Sequence, residues 1–342
     1  MLDLSLPRGL RDLLPDHSAH LAALSASLHE VFSSFQYQRV LLPTLERLEV
    51  VERGLSPAAL AGVLKFVEPG SNEVVAIRPD ITPQIARLYA ARPDALPSPA
   101  RLCYDGPVLR AHESRAGRPR EVYQAGVELL GKGGAPADAE ALLILSEALA
   151  RVGLGHAVLE VGHARFAQAV IAAAKLPPAA RAEASEALAR KDEGALASLA
   201  RKGRGTSQVL QSLPLLATLY GDDALERARA LARGVPGAVE ALAEVEAALR
   251  LARRRGLGPV VVDLGEMRGL GYYTGITFAG YAAGAGSAVA AGGRYDALLE
   301  RFGRPGPAIG FAVDLEFATQ ALERATGESL THARRPPRAR KG

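Results

Sequence analysis

The chain has 342 residues, 48% hydrophobic and 23% charged, with a formal net charge of +4; this is ordinary globular composition, enough for about two domains, and it excludes wholesale disorder. Cys103 is the single cysteine, so no intrachain disulfide forms and a reducing, cytoplasmic home is expected. No stretch approaches ~18 uninterrupted apolar residues and the start lacks a long apolar core, so neither a membrane span nor a secretory signal is expected.

In chain order, Leu21, Leu24, Leu28, Val31 and Phe35 recur at three- and four-residue spacing and predict an amphipathic helix over Ser18–Phe35. Tyr37–Leu42 reads as a strand stopped by Pro43. Val63–Val67 and Glu73–Ile77 flank Pro69-Gly70-Ser71-Asn72, a hairpin signal. Pro83 opens a helix at its tolerated first-turn position. Leu102–Leu109 and Glu121–Leu130 read as longer strands around a polar loop, HESRAGRPR, placed where binding groups are often presented. From about 165 to 257 the chain turns Ala/Leu/Glu/Arg-rich and is expected to be all helix, its last helix running Pro236–Arg255 with Gly256 as cap. Strands are expected again at Val260–Leu264, Tyr272–Tyr281, Ser287–Ala291 and Ala308–Asp314, then a helix over Leu315–Arg324.

Strands dominate both flanks, and short loops favour antiparallel pairing over a doubly wound sheet. The expected fold is α+β: an antiparallel sheet with flanking helices, split into 1–164 and 258–328 by a helical insertion at 165–257, with a basic tail at 329–342. The last twelve residues, THARRPPRARKG, hold five cations and no acid; subtracting those five from +4 leaves −1 for the rest. The tail reads as a solvated, disordered end, and the near-neutral body gives no support for a nucleic-acid-binding face.

Known phosphate-loop and dinucleotide spacings are absent, and the glycines of 284–293 (GAGSAVAAGG) read as a turn or a tightly packed strand. His17 and His20 stand three apart without a third ligand nearby, so no metal site is expected. Cys103 reads as a small buried hydrophobe rather than a nucleophile.

Four segments carry more. RLCYDGPVLRAHESRAGRPREVYQAGVELLG (101–131) resembles the strand–loop–strand motif of class II aminoacyl-tRNA synthetases. Arg268-Gly269-Leu270-Gly271-Tyr272-Tyr273-Thr274-Gly275 resembles a histidine-binding signature of the histidyl-tRNA synthetase family. GGRYDALLERFGRPGPAIGFAVDLE (292–316) resembles the glycine-rich third motif. VLLPTLE (40–46) resembles the first, whose proline, here Pro43, lies at a homodimer interface. The resemblance implies the class II synthetase core. It also implies a histidine pocket: Asp80 and Thr82 for the ammonium, Gln124 and Glu128 for ammonium and imidazole, Tyr272 and Tyr273 around the ring, and Arg268 for the carboxylate. An acid for a cation, a guanidinium for a carboxylate and aromatic walls with polar handles form a coherent set.

The departures fall on the nucleotide side. Where the synthetases end the third motif in Glu-Arg, this chain has Glu316-Phe317. Arginine gives charge-assisted bonds to a γ-phosphate and a phenyl ring gives none, a loss of roughly 1.5–3 kcal/mol. The middle motif keeps Arg110 but has His112 in place of a glutamate that fixes the nucleotide. Little sequence follows the third motif, so no anticodon-reading domain is expected. RPDITPQ (78–84) and Gly271 resemble instead the regulatory-subunit branch of the family, which serves ATP phosphoribosyltransferase in histidine biosynthesis. That resemblance implies no catalytic residues, no cofactor and no tRNA. It implies a vestigial nucleotide site at Arg110, His112 and Phe317, L-histidine as feedback effector, self-association as a dimer, and a hetero-octamer with a short-form catalytic subunit. The alternative is a stand-alone histidine-activating ligase. A nucleic-acid-binding role would rest on the tail alone.

Overall fold

In a computed structural model, which describes residues 4–109, 120–202, 208–267 and 271–327, α1 (Pro15–Ser34) leads into β1 (Gln38–Arg39). There follow β2 (Leu45–Arg47), α2 (Leu48–Gly54), α3 (Pro57–Leu60), β3 (Lys65–Val67), β4 (Val74–Ile77), α4 (Thr82–Ala91), β5 (Ala100–Leu109) and β6 (Glu121–Leu130). Next come α5 (Ala135–Arg151) and β7 (Val158–His163), then the helices α6 (Phe166–Ala173), α7 (Pro178–Ala189), α8 (Glu193–Lys202), α9 (Gln208–Gln211), α10 (Leu213–Ala217), α11 (Ala224–Ala232) and α12 (Pro236–Arg254). The chain returns through β8 (Val260–Val262), β9 (Ile276–Tyr281), β10 (Ala290–Arg294), α13 (Asp296–Arg301), β11 (Ala308–Asp314) and α14 (Leu315–Thr326).

The main sheet has eight strands in the order β1-β5-β6-β11-β10-β9-β7-β8. Its centre is antiparallel, as expected: β5 with β6, β6 with β11, β11 with β10, β10 with β9 and β9 with β7. Two pairs are parallel, β1 with β5 and β7 with β8. A parallel pair needs a long crossover, and the helices α6–α12 are the crossover from β7 to β8. The expected strand at Tyr37–Leu42 shortens to two residues because only Gln38 and Arg39 pair in register with β5, Val40 adding one last N–H to the Cys103 carbonyl at 2.9 Å. A second sheet, β2-β4-β3, is antiparallel and leaves Leu45, Phe66, Val67 and Val74 exposed.

Side chains alternate across the sheet. Ala125, Val127 and Leu129 of β6 and Ile309, Phe311 and Val313 of β11 pack in one core with Leu24, Leu28 and Phe32 of α1 and Leu142 and Leu145 of α5. The same core continues into the crossover through Leu188, Leu196, Leu213, Leu242 and Leu249. The opposite face is covered by α4 and α13, with Leu102, Tyr104, Ile85, Tyr295 and Leu298 in a second core. Each fully buried Leu or Ile contributes roughly 1.5–3 kcal/mol against exposure. Between these covered parts the second face stays open, and the sheet there forms a cavity wall.

Candidate functional site

Gln124 and Glu128 stand four residues apart on β6 and therefore on one face. They open into a cavity of about 1220 Å³. Asp80 and Thr82, at the start of α4, form one wall at this near end, and Tyr272, Tyr273 and Tyr295 another. Glu128 is 1% exposed. Thr82 Oγ1 donates to its Oε1 at 2.8 Å, Tyr104 OH to the same oxygen at 3.5 Å, and Tyr295 OH to Oε2. Gly310 lies directly opposite Glu128 in register. A Cβ there would stand 1.7 Å from Glu128 Oε2 and 2.3 Å from the Val127 carbonyl, so only glycine leaves room for the carboxyl. Burial pushes the Glu128 carboxyl up to about 8, outweighing the three hydroxyl bonds, which favour the charged form. At neutral pH, with no cation beside it among the described residues, the carboxyl keeps its proton.

Tyr272 OH donates to Asp80 Oδ2 at 2.9 Å, and the Thr82 N–H reaches Asp80 Oδ1 at 3.4 Å. The Tyr272 ring meets Tyr273 edge to face at 4.9 Å and Tyr295 at 5.8 Å. Burial first, and the nearby carboxylates second, hold all three phenols above their ordinary range, so they remain neutral hydrogen-bonding walls. Two carboxyl groups, a threonine hydroxyl and aromatic walls suit a small ligand with a cationic nitrogen or N–H groups.

Asp314 stands opposite Gln124 in register, and it and Phe317, at the start of α14, also line the cavity; Asp314 Oδ1 accepts from the N–H groups of Glu316 and Phe317, both at 3.1 Å, and caps the helix. The far end, beside β7 and β8, differs: there the crossover supplies Ala189, Arg190 and Lys191. Lys191 Nζ donates to both oxygens of Asp263, at 2.7 and 2.9 Å, and the Gly265 N–H reaches Oδ1 at 2.9 Å. Glu160, Asp263 and Glu266 bring carboxylate oxygens within 4.8 Å of one another.

Thus Asp80, Thr82, Gln124, Glu128, Tyr272, Tyr273 and Phe317 surround one cavity. Arg110, His112 and Arg268 lie outside the described residues, as does the tail from 328. Pro43 is exposed beside Leu41 and Leu45, and its carbonyl accepts from Gln84 Nε2 at 2.9 Å. Cys103 is buried in β5 on the other face, and burial pushes its thiol up to about 11. His17 Nε2 faces Glu316 Oε2 at 3.4 Å. The sequence reading missed Tyr104 and Tyr295, which hold Glu128. Tyr295 directly follows the GGR of the third motif and Tyr104 alternates with Leu102, so both signals were present. The residues of the far end share no motif spacing. Among the described residues, no helix is long and apolar enough to cross a membrane.

Comparison with known proteins bears on the family and the fold. The histidyl-tRNA synthetase family model matches residues 9–318. ATP phosphoribosyltransferase regulatory subunits from Anaeromyxobacter sp. (strain Fw109-5) and Anaeromyxobacter dehalogenans (strain 2CP-C) are 79% and 77% identical, over 99% and 96% of this chain and 100% and 94% of theirs. A crystal structure of an ATP phosphoribosyltransferase regulatory subunit/histidyl-tRNA synthetase from Bacillus halodurans C superposes with a TM-score of 0.84 at 30% identity, covering 94% of this chain and 84% of that one. Histidyl-tRNA synthetase from Nostoc sp. PCC 7120, at 21% identity, shares the fold with a TM-score of 0.78, covering 95% of this chain and 77% of its own. By sequence and by fold, this chain belongs to the histidyl-tRNA synthetase family, in the branch of the ATP phosphoribosyltransferase regulatory subunits.

Proposed function

We propose that this chain is the noncatalytic regulatory subunit of an ATP phosphoribosyltransferase. It holds free histidine at the near end of its cavity and transmits that occupancy as feedback inhibition. The names of the relatives support the first statement. One observation carries the second: the near end gathers Asp80, Thr82, Gln124, Glu128, Tyr272 and Tyr273, while the cavity position matching the phosphate-gripping arginine of the synthetases is Phe317. A protonated Glu128 ionises when a ligand nitrogen arrives, trading its proton for a charge-assisted bond. The phenyl ring gives an ATP phosphate nothing to hold. Asp80 and Thr82 anchor the ammonium, Gln124 and Glu128 share the ammonium and the imidazole, and the tyrosines wall the ring. Arg268 meets the carboxylate, on the strength of the resemblance alone.

By linkage, histidine must favour the less active state of the complex, with a coupling of about 1–3 kcal/mol. The core, 1–164 and 258–328, carries the site, with 165–257 inserted. The chain pairs as a dimer about Pro43 and assembles as a hetero-octamer with a short-form catalytic chain that works only in its company; tRNA plays no part. Purified protein should bind histidine in calorimetry and fail to drive histidine-dependent exchange of pyrophosphate into ATP. Robust exchange overturns this reading in favour of a stand-alone histidine-activating ligase; no histidine binding overturns the site.

A further inference from the structure

Lys191 ends α7 in an unusual way. The Lys191 N–H donates to the Leu188 carbonyl and the Asp192 N–H to the Ala187 carbonyl, both at 2.8 Å, which turns the chain out of the helix. Lys191 itself sits at φ 54°, the left-handed region that favours glycine at such a helix end. A side chain kept at that position is put to use here. The ammonium crosses from the α7–α8 turn to the cavity wall and sits between both oxygens of Asp263, a residue 3% exposed and 72 positions away. Among the described residues Asp263 has little other means of neutralisation. Its described partners are this ammonium and the Gly265 N–H, and the carboxylates of Glu160 and Glu266 crowd it from the same side. A buried carboxylate stripped of its counter-ion is strongly disfavoured.

The crossover is also stitched to β8 beside this point. The Gly221 N–H reaches the Val262 carbonyl at 3.0 Å and the Leu264 N–H reaches the Leu219 carbonyl at 3.1 Å. Those bonds fix α10–α11. The α7–α8 turn reaches the cavity wall through Lys191, and Ala189, Arg190 and Lys191 together line the far end of the cavity whose near end holds Glu128.

We propose that Lys191 is a latch. Its bridge to Asp263 holds the α7–α8 turn of the helical crossover against the far wall of the cavity, so that what fills the cavity is felt by the crossover. Lys191 is a positioning residue: it acts on the position of the turn. The coupling to a ligand rests on the histidine reading above; the latch itself does not.

Hydrogen exchange on the full chain separates the two. Without ligand, K191M should speed amide exchange across residues 186–196 about tenfold and leave β5 and β6 protected, while K191R, which keeps a cation at the same reach, stays near the wild type. D263N, which removes the other half of the bridge, should match K191M. With histidine added, the wild type should slow at 80–82, at 124–128 and at 186–196, whereas K191M should slow at the first two only. Unchanged exchange at 186–196 in ligand-free K191M and D263N overturns the latch. An effect of histidine on 186–196 that survives in K191M overturns the coupling. No effect of histidine anywhere in the wild type overturns the histidine reading, and the ligand-free comparison still decides the latch.

Discussion

At the near end of the cavity the Glu128 carboxyl, 1% exposed, meets only hydroxyl groups among the described residues; at the far end the Asp263 carboxylate, 3% exposed, meets an ammonium of its own chain. Both are carboxyl groups taken out of water, which is costly for the charged form. The far end resolves that cost internally through Lys191. The near end resolves it by holding a proton, since burial pushes Glu128 up to about 8. A proton is easily given up when a better cation arrives. Lys191 is tethered and cannot leave. The near end is therefore poised for a ligand, whereas Asp263 at the far end is already paired.

Gly310→Ala should break this contrast most severely. The added Cβ would overlap Glu128 Oε2 and also the Val127 carbonyl, and backbone yields far less than a side chain. A stability loss of about 3 kcal/mol is expected, at the upper end of overpacking penalties, together with loss of histidine binding. Thermal unfolding and calorimetry read both. A variant as stable as the wild type that still binds histidine would show that Glu128 has room to move.

Glu128→Gln tests the proton directly. Histidine affinity should drop by roughly 1.5–3 kcal/mol, the worth of a hydrogen bond to a charged group. In buffers of different ionisation enthalpy, the wild type should release close to one proton per histidine at pH 7, and the variant should release none from this site. The sign for stability follows from the raised value. The unfolded chain ionises Glu128 near its ordinary 4.5, while the folded chain keeps the proton to about 8. The contribution is full below pH 4.5 and is lost as pH rises to 8. Glu128→Gln should flatten that part of the stability curve measured by denaturant titration; an unaltered slope would place the ionised form in the folded chain.

Much of the fold was legible because strands with long runs of alternating or apolar residues leave a strong local pattern. β6 and β11 occupy the predicted 121–130 and 308–314, and α12 ends one residue short of the predicted Arg255. The strand expected from Tyr272 starts only at Ile276, because Tyr272 is drawn off to Asp80. β7 went unread, as its six residues, VLEVGH, form a short run between two helices. The parallel pairing of β7 with β8 is invisible locally, since its partners are separated by the whole crossover. The near end of the cavity was legible through motifs. The far end was not: Glu160, Lys191 and the Asp263–Glu266 pair come from three separate stretches, and only the folded chain brings them together.

The finest test concerns orientation at the near end rather than charge. Tyr272→Phe removes one O–H donor, the bond to Asp80 Oδ2 at 2.9 Å, and keeps the ring that packs edge to face on Tyr273 and Tyr295. Asp80 keeps the Thr82 N–H at 3.4 Å, a long bond that fixes it less firmly. A net hydrogen bond is worth about 0.5–1.5 kcal/mol, so histidine affinity should fall several-fold, less than for Glu128→Gln. Proton release should persist, because Glu128 and its three hydroxyl partners are untouched. Exchange at 186–196 should also be unchanged, because the Lys191–Asp263 bridge does not involve Tyr272. A loss of affinity as large as that of Glu128→Gln would mean that the Tyr272 hydroxyl contacts the ligand itself, and the contrast between the two ends would then rest on the phenol as much as on the buried carboxyl.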